Sequence, residues 1–193
     1  MERLKIFIAV TPPDDVRDDI VKIVDRLKVE NHAVTWEEPG KEHITLAFLG
    51  NIEQIRMEEA AKAAEKTARN FPKFTIQTAR ISYFYKDKAG NDSIILLSIS
   101  DPKKYLKKLH RTLAVNLTEH EFSPGTHFSA HITIGRLKKQ RHPHEQKQLL
   151  DQIADIDIPI GHEFEVTHLN VYESILQGGT HRHHLLKSFE LIG

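Results

Sequence analysis

The sequence predicts an α+β fold with a loose internal duplication. Stretches with the period-2 alternation of half-buried strands recur along the chain, interleaved with stretches of helical spacing. One short stretch, His43-Ile44-Thr45-Leu46, returns as His131-Ile132-Thr133-Ile134, with the two histidines 88 positions apart. A strand–helix unit precedes each copy and a further helix follows it, although the flanks are too dissimilar to prove a duplication.

Residues 4–10 alternate Leu4, Ile6, Ile8 and Val10 against Lys5, Phe7 and Ala9, which predicts a strand. Thr11-Pro12-Pro13-Asp14-Asp15 reads as a helix start: a Thr cap, Pro in the first turn and acids at the positive end. Val16, Ile20, Ile23, Val24 and Leu27 form the buried stripe of that helix. A short strand at Val34-Thr35-Trp36 and the first motif strand follow. Asn51 is placed to cap a second, Ala-rich helix running to about Arg69, which Phe71-Pro72 stops.

Phe74 to Tyr85 and Ser93 to Ser100 predict a hairpin around the turn-rich loop from Lys86 to Asp92. Asp101-Pro102 opens a helix with Leu106, Leu109, Leu113 and Leu117 near helical spacing. Phe122-Ser123-Pro124-Gly125 is a loop, and the second motif strand comes after it. Pro143 to about Ala154 predicts a helix carrying Leu149, Leu150 and Ile153. Strands are expected over 158–166, 167–174 and 183–191, the last alternating Leu185, Lys187, Phe189 and Leu191.

The chain of 193 residues suits one domain spanning 1–193, with two intimate lobes rather than two independent units. Lys plus Arg equals Asp plus Glu at 27 each, so net charge points to no avid binding of nucleic acid or membrane. The absence of cysteine excludes disulfide and thiolate chemistry. No apolar run of 18 residues and no leader pattern occur, so the expected location is the cytoplasm, with no membrane partner. A monomer is taken as the default.

On a strand, residues i and i+2 share a face, so His43 lies beside Thr45 and His131 beside Thr133, while Ile44, Leu46, Ile132 and Ile134 point into a core. A third copy of the tripeptide, His110-Arg111-Thr112, falls in the helical pattern, where i and i+2 do not face each other. It is therefore excluded from the motif, and His110→Ala is expected to leave turnover nearly unchanged.

Two imidazoles suit acid–base catalysis: an unperturbed pKa of about 6.5 lets one ring act neutral, as base, and the other protonated, as acid. Each threonine hydroxyl beside them suits donation of a hydrogen bond to a substrate oxygen. The competing reading is a pair of structural histidines satisfied by carbonyls at a lobe interface.

The paired strands resemble the two-histidine (2H) phosphoesterases. The flanks are similar to the bacterial and archaeal RNA 2′,3′-cyclic phosphodiesterases, also called 2′-5′ RNA ligases. The matching flanks are Ile6-Phe7-Ile8-Ala9-Val10, Val34-Thr35-Trp36, Thr45-Leu46-Ala47-Phe48-Leu49-Gly50, Arg136, and Leu169-Asn170-Val171-Tyr172-Glu173-Ser174. The resemblance implies two pseudo-twofold lobes, each an antiparallel sheet with helices on its outer face, and an active-site groove between them. It implies opening of RNA 2′,3′-cyclic phosphate ends to 2′-phosphates without metal or other cofactor, and 2′-5′ ligation as the reverse. His43 would be the acid and His131 the base, although the sequence leaves the opposite assignment open. Thr45, Thr133 and Arg136 would bind the substrate. Two other functions fit the same groove: a non-catalytic RNA-end binder, and a phosphodiesterase of small nucleotides.

Arg136 poses a geometric problem. Five residues past His131, strict alternation places it on the opposite face, so the strand must end or bulge near Gly135 if Arg136 is to hold phosphate. Phe7, Trp36 and Phe48 are suited to stack on a base, but core packing is the expected role of each. The basic run from Arg136 to His144 fits either an RNA contact or a solvated loop. His181, His183 and His184, with His142 and His144, are expected in turns or at strand ends, with adventitious metal affinity rather than a metal cofactor.

Overall fold

In the computed structural model, residues 2–30, 34–85, 93–137, 143–156 and 161–193 are described, with side chains at all but 29, 30 and 143. Nine strands and four α-helices alternate along these residues. The strands form two wholly antiparallel sheets, giving the expected two-lobed α+β architecture.

The first sheet has the order β3-β1-β8-β9, built from β1 (Arg3–Val10), β3 (Ile44–Glu53), β8 (His168–Gln177) and β9 (Thr180–Glu190). The second has the order β2-β6-β5-β4-β7, built from β2 (Val34–Trp36), β4 (Phe74–Tyr85), β5 (Ser93–Ser100), β6 (His131–Leu137) and β7 (Glu163–Val166). The two motif strands, β3 and β6, approach each other across the lobe boundary.

The helices are partly exchanged between the lobes. Helix α1 (Asp14–Glu30) leaves the first sheet yet lies along the second, touching β2 and meeting His162 near β7 through Asp15 and Asp19. Its stripe of Val16, Ile20, Ile23, Val24 and Leu27 is buried as expected. Helix α2 (Met57–Arg69) lays buried Ala60, Ala61, Ala63, Ala64 and Ala68 toward the first sheet, and the small side chains let helix and strands approach closely. Helix α3 (Tyr105–Glu119) follows β5 of the second sheet but packs on α2 and β3 of the first. The Asp101 carboxylate accepts the Tyr105 and Leu106 amide N–H groups at 2.9 and 2.8 Å, so this residue does open the helix. Helix α4 (Pro143–Ala154) packs on β4.

Two boundaries differ from the sequence expectation. Asn51 caps no helix: it pairs with Lys5 in the β1–β3 ladder, a 3₁₀ turn over Gln54–Arg56 follows, and α2 begins only at Met57. Strand β8 runs to Gln177 and β9 starts at Thr180, so His181–His184 lie inside a strand rather than in a turn. Of the strand expected over 158–166, residues 158–160 lie outside the described residues, and β7 spans Glu163–Val166. The loop from Lys86 to Asp92 and residues 138–142 of the basic run lie outside the described residues. Among the described residues, no helix is long and apolar enough to cross a membrane.

Candidate active site

His43 sits immediately before β3 and His131 opens β6. The two rings are held alike. His43 Nδ1 lies 2.6 Å from the Lys41 carbonyl and His131 Nδ1 lies 2.8 Å from the Ser129 carbonyl, each two residues upstream. A carbonyl only accepts, so Nδ1 carries the proton and Nε2 is the nitrogen that gains or loses a proton in chemistry. Each ring also leans on an aromatic neighbour: His43 on Phe7, with centroids 5.0 Å apart, and His131 on the edge of Phe84, at 5.3 Å.

The two strands repeat a second feature, a one-residue bulge at the fourth motif position. In the β1–β3 ladder Ala9 opposes Thr45 and Ile8 opposes Ala47, leaving Leu46 as the extra residue. In the β5–β6 ladder Leu96 opposes Thr133 and Ile95 opposes Gly135, leaving Ile134 as the extra residue. A bulge shifts the alternation by one. The burial pattern records the slip: Ile134 and Gly135 are buried in succession, and Arg136 then emerges on the side of His131 and Thr133. The bulge thus resolves the facing problem of Arg136. Gly135 is required there because a Cβ would stand 2.9 Å from both Trp36 Cε3 and Val34 Cγ1 on the neighbouring strand. The same slip on β3 turns Phe48 outward, 66% exposed, so the expected core role for Phe48 is wrong. Phe7 is buried as expected and Trp36 packs partly buried against the core.

Arg136 Nε donates to Glu37 Oε1 at 3.1 Å, and Lys41 Nζ stands 4.0 Å from the other oxygen of the same carboxylate. Glu37 itself is anchored by its amide, which donates to the bulged Ile134 carbonyl at 2.9 Å. Burial is the main cause that pushes the His43 pKa down; the Lys41 carbonyl and Glu37 oppose it, while the charges of His131 and Arg136 add to it. His43, His131, Arg136, Lys41 and Glu37 therefore form one electrostatic site.

The sequence did not place Glu37, Lys41, Tyr172 or His183 in this site. Tyr172 stacks on Phe7 at 5.2 Å, and its hydroxyl pairs with Thr11 Oγ1 at 2.7 Å, bracing the wall behind His43. His183 meets His43 edge-on at 4.9 Å and Phe7 at 4.8 Å. Burial, then the neighbouring His43, Lys41, His181 and Arg136, push its pKa down to about 4. The count of histidines near residue 183 was the available signal. Glu37 and Lys41 had none, because isolated charges between two strands ordinarily mean a solvated loop. His181 is engaged with Ser174 Oγ at 3.1 Å, and among the described residues no group of three His, Cys, Asp or Glu is arranged to hold a metal ion. His110 is helical, on α3, as expected, and its Nδ1 lies 2.8 Å from the Leu46 carbonyl of the first motif strand.

Curated relatives and solved structures match over most of the chain. An "RNA 2′,3′-cyclic phosphodiesterase" of Thermotoga maritima is 29% identical over 173 residues, covering 90% of this chain and 88% of the relative. One of Methanothermobacter thermautotrophicus is 23% identical, covering 81% and 83%. TT0787 of Thermus thermophilus superimposes with a TM-score of 0.76 at 20% identity, covering 97% of this chain and 98% of that one. E. coli LigT complexed with 3′-AMP superimposes with a TM-score of 0.74 at 21% identity over the whole of both chains. The family model described as the 2′-5′ RNA ligase superfamily matches residues 12–176, and the chain belongs to that superfamily.

Proposed function

We propose that this protein hydrolyses RNA 2′,3′-cyclic phosphate ends to 2′-phosphomonoesters by acid–base catalysis between His43 and His131. The observation that carries this reading is the matched pair of imidazoles. Both Nδ1 atoms are committed to a backbone carbonyl two residues upstream, both rings rest against an aromatic side chain, and a threonine follows each histidine two residues on. The names of the curated relatives support the substrate class.

His131 Nε2 takes a proton from water as the water oxygen attacks phosphorus. The bond from phosphorus to the ribose 3′ oxygen breaks in line, and His43 Nε2 delivers its proton to that oxygen. Thr45 and Thr133 donate to the non-bridging oxygens, and Arg136 balances the charge that builds on them. The two imidazoles supply both proton transfers, so the reaction needs no metal. When a ribose 5′-hydroxyl attacks phosphorus in place of water, the same displacement of the 3′ oxygen forms a 2′-5′ linkage, which is the ligation reaction. Phe48, exposed on the wall that carries His43, offers a stacking surface to a nucleobase.

The test is product analysis and kinetics on a 2′,3′-cyclic-phosphate oligonucleotide in chelator. The expected product is the 2′-phosphomonoester, with full activity in EDTA. His43→Ala and His131→Ala should each lower kcat by about 10²–10⁴-fold. The double variant should lose less than the product of the two, because residues acting as one unit are non-additive. A folded His131→Ala protein with wild-type kcat, or activity lost in chelator and restored by a divalent ion, overturns this reading.

A further inference from the structure

The extra residue of a β-bulge leaves its strand's regular pairing, so the carbonyl of a buried bulge needs a donor from elsewhere. The two motif bulges meet that need differently. At the second, the Ile134 carbonyl accepts a main-chain N–H from Glu37. At the first, the Leu46 carbonyl accepts from a side chain: His110 Nδ1, at 2.8 Å.

His110 is 5% exposed on α3, the helix that crosses from the second sheet onto the first. Its ring lies nearly parallel to Phe128, with centroids 4.9 Å apart and planes 14° apart. Phe128 belongs to the segment that leads into His131. The ring is therefore oriented by the approach to the second motif while its Nδ1–H holds the first. An aliphatic residue would fill the space on the buried face of α3 but would leave the Leu46 carbonyl without this donor.

We propose that His110 is a positioning residue for the first motif: its Nδ1–H fixes the Leu46 carbonyl and so locks the bulge that presents Thr45 and Phe48 to the groove. The proposal rests on the reading that His43 and Thr45 serve the reaction. It reverses the expectation that replacing His110 is silent. A helical residue cannot be a third motif histidine, but it can hold one of the other two motifs in shape.

Two substitutions separate the donor from the ring. His110→Asn keeps an N–H donor near the position of Nδ1 and gives up the stack on Phe128. His110→Phe keeps the stack and gives up the donor. With kcat, KM and melting temperature measured for each on a 2′,3′-cyclic-phosphate oligonucleotide, His110→Phe should lower kcat about tenfold, since small misplacements of positioning groups cost on that order or more. His110→Asn should stay within about threefold of wild type. Adding Thr45→Ala to His110→Phe should cost little more than Thr45→Ala alone, whereas Thr133→Ala should retain its full effect, because only the first motif shares the bulge. If His110→Phe does not fold, His110→Leu takes its place. A folded Phe or Leu variant with wild-type kcat overturns the proposal, as does a folded Asn variant more than tenfold slower than wild type. His43→Ala, run in parallel, isolates the underlying reading. A fully active His43→Ala protein overturns both, whereas an inactive one beside a fully active His110→Phe protein overturns only the role of His110.

Discussion

Arg136 and Phe48 occupy matching places on the two walls of the groove. Each stands five residues past its motif histidine, and each is brought to the histidine's face by a bulge at the fourth motif position. The frame is repeated and the tip residue is changed. One wall ends in a cation, suited to a phosphate; the other ends in an exposed ring, suited to a base. Under the proposed function, this difference would give an asymmetric substrate a direction on a nearly symmetric scaffold.

Arg136→Ala should lower kcat/KM by about 10–100-fold, the worth of a hydrogen bond to a charged group at about 1.5–3 kcal/mol. Arg136→Lys should recover little of it. Glu37 grips Arg136 through Nε, and lysine has no planar fork to satisfy carboxylate and phosphate together. Steady-state kinetics on the three proteins at one ionic strength decides; full recovery by lysine removes the bidentate role.

Phe48→Ala should weaken binding of a cyclic-phosphate oligonucleotide by about 1–3 kcal/mol, the usual worth of one base stacked on one aromatic ring. Its melting temperature should hold, because a side chain 66% exposed contributes little to the core. Binding isotherms beside melting curves check this. A large drop in melting temperature with unchanged binding returns Phe48 to a packing role.

The pH profile carries a sign. Burial lowers the His43 pKa, so in the empty groove His43 loses its proton at a lower pH than a free imidazole. As the acid, His43 must be protonated. kcat/KM, which reports the free enzyme, should therefore fall as pH rises through a value below about 6.5. A bound phosphate is negative and favours the imidazolium, so the corresponding limb of kcat should lie at higher pH. His183, held to about 4, is neutral throughout this range and adds no limb of its own near neutrality. Coincident basic limbs in the two profiles count against His43 as the acid.

Gly135→Ala should destabilise the fold by about 1–3 kcal/mol, the usual cost of overpacking, because its Cβ would meet Trp36 and Val34 at 2.9 Å. Relief requires β2 to move. Glu37 follows directly on β2, so KM should rise as well. A variant that melts like wild type shows that the edge strand yields freely.

Much of the site is legible in the sequence because its signal is local. The alternation around His43 and His131 assigns faces within a strand, and the stripes of α1 and α3 lie within one helix. What the sequence hides depends on pairing between strands. A bulge exists only relative to the neighbour's register, so the facing of Arg136 stays open and the exposure of Phe48 runs against the core packing expected of it. Strand β2 is three residues long, too short to declare which sheet edge it joins. The turn before the histidine cluster is different: Gly178-Gly179 is a two-residue hairpin signal, and it agrees with His181–His184 lying on a strand where turns and strand ends were expected.

The strand order of the first sheet has a consequence for biosynthesis. β1 and β3 emerge well before the rest of their sheet, yet β1 pairs on its other side with β8, which is translated much later together with β9. Pairings of such long sequence separation form late and slowly. The wall behind His43, with Tyr172 from β8 and His183 from β9, is therefore absent from every nascent chain that lacks these two strands. A nascent chain that has exposed both histidine motifs would still lack the rings of Tyr172 and His183 that pack on Phe7 and His43, and that wall would close only once the β8–β9 hairpin has left the ribosome.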